Sequence, residues 1–423
     1  MSSPPGPTLL RTRWWVLGLV SLANLCGYYI YDSIAPVADL LHRQLGFSYT
    51  QIGTLNAIYS VPNIVIALFG GILADRFGAA VVGVWTAAIC LLGALLTAAS
   101  GHFAIMAAGR LLFGIGGDAL FVAMLVAIGR AFSGAQVSLA LALFYSLARV
   151  GSYLSDVSPT LARPLYEMGW QPPLMLAAAV ALLGLLAVLA YQWLDRRTAL
   201  PVPGASAQSA WPSFKGLDAA FWYLLWMGAI FYGVVWAFRS TFSIEYFQNA
   251  RGLSLQAAGV TNSWVFFSSI FATPLVGWIA DQVDQPFKML AAGMLALALS
   301  FAILGATTWP LWMSTALMGV SFSVVPTVLW PAVTKIVQLG RIGAAFGLMT
   351  ILQNVAITAC NLAVGWLNDV AGAGRTHPAG YAPMIWLLFV LSLCGCTLIL
   401  RLSVRRGAAA APASGAVTGS ERA

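Results

Sequence analysis

Residues 80–99, AVVGVWTAAICLLGALLTAA, run for twenty positions without a charged side chain. A helix rises 1.5 Å per residue, so about twenty apolar residues cross the ~30 Å hydrocarbon core of a bilayer. Inside lipid no water satisfies the backbone, and a helix is the element that satisfies its own. Runs of this kind recur along the chain, near 14–38, 50–73, 80–99, 103–129, 138–162, 172–194, 219–247, 255–280, 287–307, 310–336, 342–369 and 380–403. Composition agrees, with 60% hydrophobic and 8% charged residues where soluble proteins carry about 25% charged. The expected fold class is therefore all-α, an integral membrane protein of 12 transmembrane helices.

A net charge of +8 raises the question of an acidic partner. Sorting the cations by the loops between these runs answers it. Most fall on one side, among them Arg11, Arg13, Arg76, Arg130, Arg196, Arg197, Lys288 and Arg405. By the positive-inside rule that side is cytoplasmic and holds both termini. The charge reports topology, and no nucleic-acid partner is expected. The basic flank and long apolar run at the N-terminus read as an uncleaved first span, because the run outlasts a signal peptide's core. All five cysteines sit in apolar segments, so neither a disulfide framework nor a zinc site is indicated.

A short motif repeats. GGILADRFG (70–78), VGWIADQVD (276–284) and VGWLNDVAG (364–372) each read Gly, three residues, Asp, at the ends of the second, eighth and eleventh runs. Asp75 and Asp281 are 206 positions apart, about half the chain, as two six-span halves require. Asp369 follows Asp281 by 88 positions but lies on the opposite side, the pattern of inverted three-helix repeats. The expected organisation is a cytoplasmic tail at 1–13, an N-terminal six-helix bundle at 14–195, a Pro/Gly/Ser-rich cytoplasmic linker at 196–218, a C-terminal six-helix bundle at 219–403 and a disordered cytoplasmic tail at 404–423.

Few polar residues lie within the runs, so each carries weight. Asp118, in GRLLFGIGGDAL (109–120), and Arg149 lie 12 and 11 residues from Arg130 and Ser138, on the two arms of one hairpin. Both come out roughly 17 to 18 Å from the turn, near the midplane. Two readings stay open at this point. The pair either neutralises itself as a structural salt bridge, or it clamps a zwitterion, the acid accepting an ammonium and the arginine forking a carboxylate. Gly114, Gly116 and Gly117 beside Asp118 allow close approach by a ligand or by another helix. Asn56, Tyr59 and Asn63 form a polar stripe on the second run, and Gln353, Asn354 and Asn361 a similar one on the eleventh; each binds either solute or a neighbouring helix. In YYIYD (28–32), position favours the interfacial belt for Tyr31 and the cavity for Tyr28. Trp330 beside Pro331 suggests a bent helix with an aromatic wall. Arg239 and Glu245 in the seventh run and Asn262 in the eighth are further candidates.

GILADRFG resembles the loop signature of the major facilitator superfamily, with Gly71, Asp75, Arg76 and Gly78 matching, although the usual following basic pair is Ala79 and Ala80. The resemblance implies that Asp75, Arg76 and the repeat partner Asp281 act in gating. YYIYD, YSVPN (59–63), GRLLFGIGGDAL, LARVGS (147–152), QAAGVTNS (256–263), LWPAV (329–333) and ILQNVAI (351–357) resemble, more narrowly, the lysosomal dipeptide transporter family and its microbial relatives, from about 25 to 370. In that family the acid after GIGG binds the peptide amino terminus and the arginine before Val/Ile-Gly binds the carboxylate, which implies these roles for Asp118 and Arg149. The family acid is commonly Glu, so Asp118 is one methylene shorter. No acidic Leu-Leu sorting signal precedes the first span, and the Ala-rich composition looks bacterial. An E-x-x-E-R cluster, typical of proton-coupled peptide transporters, is absent from the first span.

The expectation is thus a transporter of dipeptides or similar small zwitterions, working by alternating access as a facilitator in the bacterial inner membrane, monomeric and without cofactor or metal. The substrate-binding set is Asp118, Arg149, Tyr28, Tyr59, Asn63, Arg239, Asn262, Trp330, Gln353 and Asn354. The alternatives are an organic-anion or proton-coupled metabolite carrier, with Arg149 and Arg239 on the carboxylate, and a non-transporting receptor or scaffold. His42, His102 and His377 are scattered and GIGGD lacks a preceding strand, so no enzyme is expected.

Overall fold

The computed structural model describes residues 7–132, 135–198, 218–283, 285–338 and 341–410. Fifteen helices follow in chain order: α1 (Pro7–Asp32), α2 (Ala38–Leu45), α3 (Tyr49–Phe77), α4 (Ala79–Ala99), α5 (Phe103–Ala131), α6 (Ala135–Leu161), α7 (Arg163–Met168), α8 (Gln171–Thr198), α9 (Ala219–Ala237), α10 (Ser243–Asn249), α11 (Leu255–Gln282), α12 (Pro286–Ala306), α13 (Leu311–Ile336), α14 (Ile342–Val370) and α15 (Ala382–Ala410). Among the described residues ten stretches are long and apolar enough to span a bilayer. With α3 and α6, 29 and 27 residues long, they make twelve.

The first and last spans overrun their expected edges, starting at Pro7 and ending at Ala410. A helix satisfies its own backbone in water as well as in lipid, so the end of an apolar run does not stop it. The short α2 and α7 fill loops at one end of the bundle. Most of the expected linker, 199–217, and most of the C-terminal tail, 411–423, lie outside the described residues.

One span is not continuous. Between α9 and α10 the residues Phe238–Phe242 form a π-helical turn, with Arg239 at its second position. A π turn breaks the i to i−4 ladder and frees carbonyls. They are used: Asn262 Nδ2 donates to Arg239 O at 3.1 Å, and Asn56 Nδ2 donates to Ser240 O at 2.8 Å.

Within the first half α4 packs on α5 and α8, and α1 on α6 and α8; in the second half α11 packs on α13 and α12 on α15. Glycines set the closest crossings. A Cβ at Gly109 would stand 2.5 Å from Thr97 N, one at Gly116 2.6 Å from Thr86 O, and one at Gly114 2.3 Å from Tyr59 O. Gly114 and Gly116 therefore serve helix packing rather than ligand approach. The apolar core divides accordingly. The buried residues of one cluster, with Phe113, Met124 and Phe144, all belong to the first half, and Trp236 of the second packs against them. The other fills the second half and crosses into the first through Ile34, Val37, Leu41, Phe47, Tyr49 and Ile52.

Those residues lie where α1 ends and α3 begins, here called the distal end; the opposite, terminal end holds both chain termini. The halves meet through α3 with α14 and α6 with α11. The closest approaches are distal: Gly53 faces the Asn361 carbonyl, and Gly259 faces the Asp156 carbonyl. The bundle is closed at its distal end.

Candidate functional site

Asp118 and Arg149 do not pair with each other. Asp118, half-buried on α5, accepts a hydrogen bond from the Tyr59 hydroxyl of α3 at 3.2 Å. Arg149, half-buried on α6, reaches into the other half. Its Nη1 donates to the Ser269 carbonyl at 3.3 Å and to Thr273 Oγ1, both on α11, and its guanidinium lies 5.7 Å from the Phe322 ring centroid. Among the described residues neither charge has an ion-pair partner. The hairpin reading puts them at one depth, but α5 packs chiefly on α3 and α4 and α6 on α1 and α11, so equal depth does not bring them face to face. The structural salt bridge is thereby excluded in this state.

Aromatic rings connect the two. Tyr31 lies 4.7 Å from Tyr59 and 5.2 Å from Trp236, and Trp236 lies 6.1 Å from Phe322, all edge-on. The wall thus runs from the residue that holds Asp118 to the residue under Arg149, through α3, α1, α9 and α13. Edge-to-face packing suits rings at these spacings. Tyr31, expected in the interfacial belt, is buried in this wall instead, because α1 turns that face toward the interior. Tyr28 is half-buried on α1, three residues before Tyr31. Trp330 donates from Nε1 to the Tyr232 hydroxyl at 3.4 Å, and its ring packs on Phe346.

On the distal side of this wall sits a second constellation. Arg239 is 1% exposed; its Nη1 is 2.5 Å from Asp32 Oδ1 and its Nη2 is 2.8 Å from Asp156 Oδ2. Phe266 lies under the guanidinium at 4.1 Å. Asn262 donates to Asp156 Oδ1 at 2.9 Å and accepts from Ser243 at 2.8 Å. Asp32 and Asp156 belong to the first half, Arg239 and Asn262 to the second. Arg239 and Asn262, expected on the substrate, are thus engaged in joining the halves in this state. Sequence reasoning attends to the tyrosines of YYIYD and passes over Asp32, as it does Asp156 in YLSDVSP. The available signal was a carboxylate inside each apolar run, which needs a partner.

Arg110 forms a neighbouring anchor, fully buried, donating to the carbonyls of Leu55, Ile30 and Tyr31 and to Asn56 Oδ1. Asn56 is therefore a packing residue. Asn63 is buried, Gln353 is half-buried, and Asn354 donates to Thr350 O of its own helix at 2.9 Å. Of the gating candidates, Gly71 and Asp75 lie within α3, and the Asp75 side chain lies outside the described set. Arg76 and Asp281 are exposed, and Gly78 has φ +86° at the start of α4, a conformation suited to glycine.

Two six-helix halves around an interior polar site define a membrane transporter. The sequence model of the Major Facilitator Superfamily matches residues 19–360, and the chain belongs to that family. It is similar to the lysosomal dipeptide transporter MFSD1 of Danio rerio, 28% identical over 86% of this chain and 83% of the relative. The protein of the same name from Homo sapiens is 27% identical over 86% and 82%. Among solved structures the nucleoside transporter NupG superposes with a TM-score of 0.76 at 13% identity, over 92% of this chain and 99% of that one, a likeness of fold.

Proposed function

We propose that the protein carries dipeptides or similar small zwitterions across a cell membrane by alternating access, as a facilitator. The carrying observation is that one carboxylate and one guanidinium inside the spans, Asp118 and Arg149, each take only neutral partners and stand at the two ends of one aromatic wall. An unneutralised charge within a bilayer costs at least a few kcal/mol, and a solute bearing both charges relieves both. A dipeptide places its ammonium on Asp118 and its carboxylate on Arg149, with Tyr28, Tyr59, Tyr232 and Trp330 as the wall around it. Asn63, Gln353 and Asn354 are candidates for backbone amides of the solute. The relatives named as dipeptide transporters support the same reading.

The cation-rich terminal end faces the cytoplasm by the positive-inside rule. On that orientation the distal closure is an outward closure. Rocking of the two halves about this site exchanges the closed end.

Uptake into proteoliposomes tests the reading. Free dipeptides are expected to enter, whereas N-acetylated and C-amidated forms lose one to two decades in affinity. Each charge-assisted contact is worth about 1.5 to 3 kcal/mol. Equal uptake of capped and free dipeptides would end the clamp, uptake of dicarboxylates alone would favour an anion carrier, and no uptake of any solute a scaffold.

A further inference from the structure

The repeated Gly, three residues, Asp motif is engaged in its third copy and exposed in its second. In its third copy, Asp369 at the close of α14 receives hydrogen bonds from Tyr49 N at 2.7 Å, Thr50 N at 2.8 Å and Thr50 Oγ1 at 2.5 Å. These are the first residues of α3, in the other half. The first four N–H groups of a helix have no partner within it. At α3 the accounting is complete: Ser48 Oγ accepts from Gln51 N at 3.1 Å, Ser48 O accepts from Ile52 N at 3.0 Å, and Asp369 takes the remaining two. Its negative charge also meets the positive end of the α3 dipole. Gly365, the glycine of the same copy, makes this possible, since a Cβ there would stand 2.5 Å from Tyr49 O.

The second copy, at the terminal end of α11, is the contrast. Nothing lies within 4 Å of the place a Cβ would take at Gly277, and Asp281 is exposed. Among the described residues the same five-residue pattern is thus docked in its third copy, where the halves are closed, and exposed in its second.

We infer that Gly365 and Asp369 form a capping latch that holds the distal end shut, a counterpart at this end of the gating role that the family resemblance implies for Asp281 at the other, so the two carboxylates bias the conformational equilibrium in opposite directions. The inference rests on the alternating-access reading and is independent of the substrate. When the halves part distally, Tyr49 N and Thr50 N lose a carboxylate and gain water, which makes the latch reversible. Asp369 is a positioning residue and touches no solute.

The test uses the full chain in lipid nanodiscs, with its five cysteines replaced by alanine and Ala57→Cys as reporter. Ala57 is 2% exposed on α3, and its carbonyl accepts from Thr358 of α14 at 3.3 Å. A bulky maleimide reaches it when the distal end opens. Asp369→Asn is expected to raise the labelling rate at least tenfold, Gly365→Ala to raise it as well, and Thr50→Val to raise it less, since both backbone bonds survive. Asp281→Asn is expected to lower it. Where Asp369→Asn fails to fold, Gly365→Ala and Thr50→Val decide. Parental labelling in the Asp369 and Gly365 variants, or a rise with Asp281→Asn equal to that with Asp369→Asn, would overturn the latch. Shifted labelling without dipeptide uptake overturns the substrate proposal and leaves the latch standing.

Discussion

Arg239 of the second half lies 2.8 Å from Asp156 of the first, in a contact from which water is fully excluded. Asp32 completes a triad with two carboxylates for one guanidinium. The arrangement ties three spans across the boundary that must part during transport.

The triad gives an asymmetric expectation. Arg239→Leu leaves two unpaired buried carboxylates and is expected to cost about 3 to 5 kcal/mol. Asp156→Asn leaves a one-to-one pair with Asp32 and is expected to cost less. Thermal unfolding of the purified variants measures both; a larger loss for Asp156→Asn contradicts the assignment.

Tyr59 and Asp118 separate positioning from binding. Tyr59→Phe removes one 3.2 Å hydrogen bond while its ring keeps the contacts with Tyr31 and Phe113. It is expected to shift dipeptide KM by about 0.5 to 1.5 kcal/mol. Asp118→Asn is expected to abolish most uptake in a folded protein. Uptake kinetics on the two variants should therefore differ by an order of magnitude or more.

Glycine substitutions test the helix crossings. A Cβ at Gly151 would stand 2.1 Å from Leu25 O, whereas one at Gly18 meets nothing within 4 Å. Gly151→Ala is expected to destabilise by about 1 to 3 kcal/mol through overpacking. Gly18→Ala is expected to be neutral or mildly stabilising, since alanine is the better helix former. Paired melting curves check the difference.

A facilitator needs no ion gradient. A proton gradient imposed on proteoliposomes is expected to leave the steady-state level of a neutral dipeptide near its equilibrium value. Concentrative uptake abolished by a protonophore would make this a coupled carrier and direct attention to Asp118 and the buried Glu245.

The spans, their number and the repeat were legible in the sequence because hydrophobicity and backbone self-sufficiency are local properties. A run such as 80–99 has to be a spanning helix whatever its neighbours are. Asp118 and Arg149 were legible for the same reason, as charges where lipid tolerates few. Their partners were not. Arg149 reaches Thr273, 124 positions away, and Arg239 lies between Asp32 and Asp156, because those contacts depend on how each helix is rotated and on which ends of the halves are closed. The motif ending in Asp369 illustrates both sides. Spacing along the chain determined that it repeats, but only the meeting of α14 with α3 decided that one copy caps a helix while another stands in the open, since a cap exists only where a second chain segment brings its unpaired N–H groups.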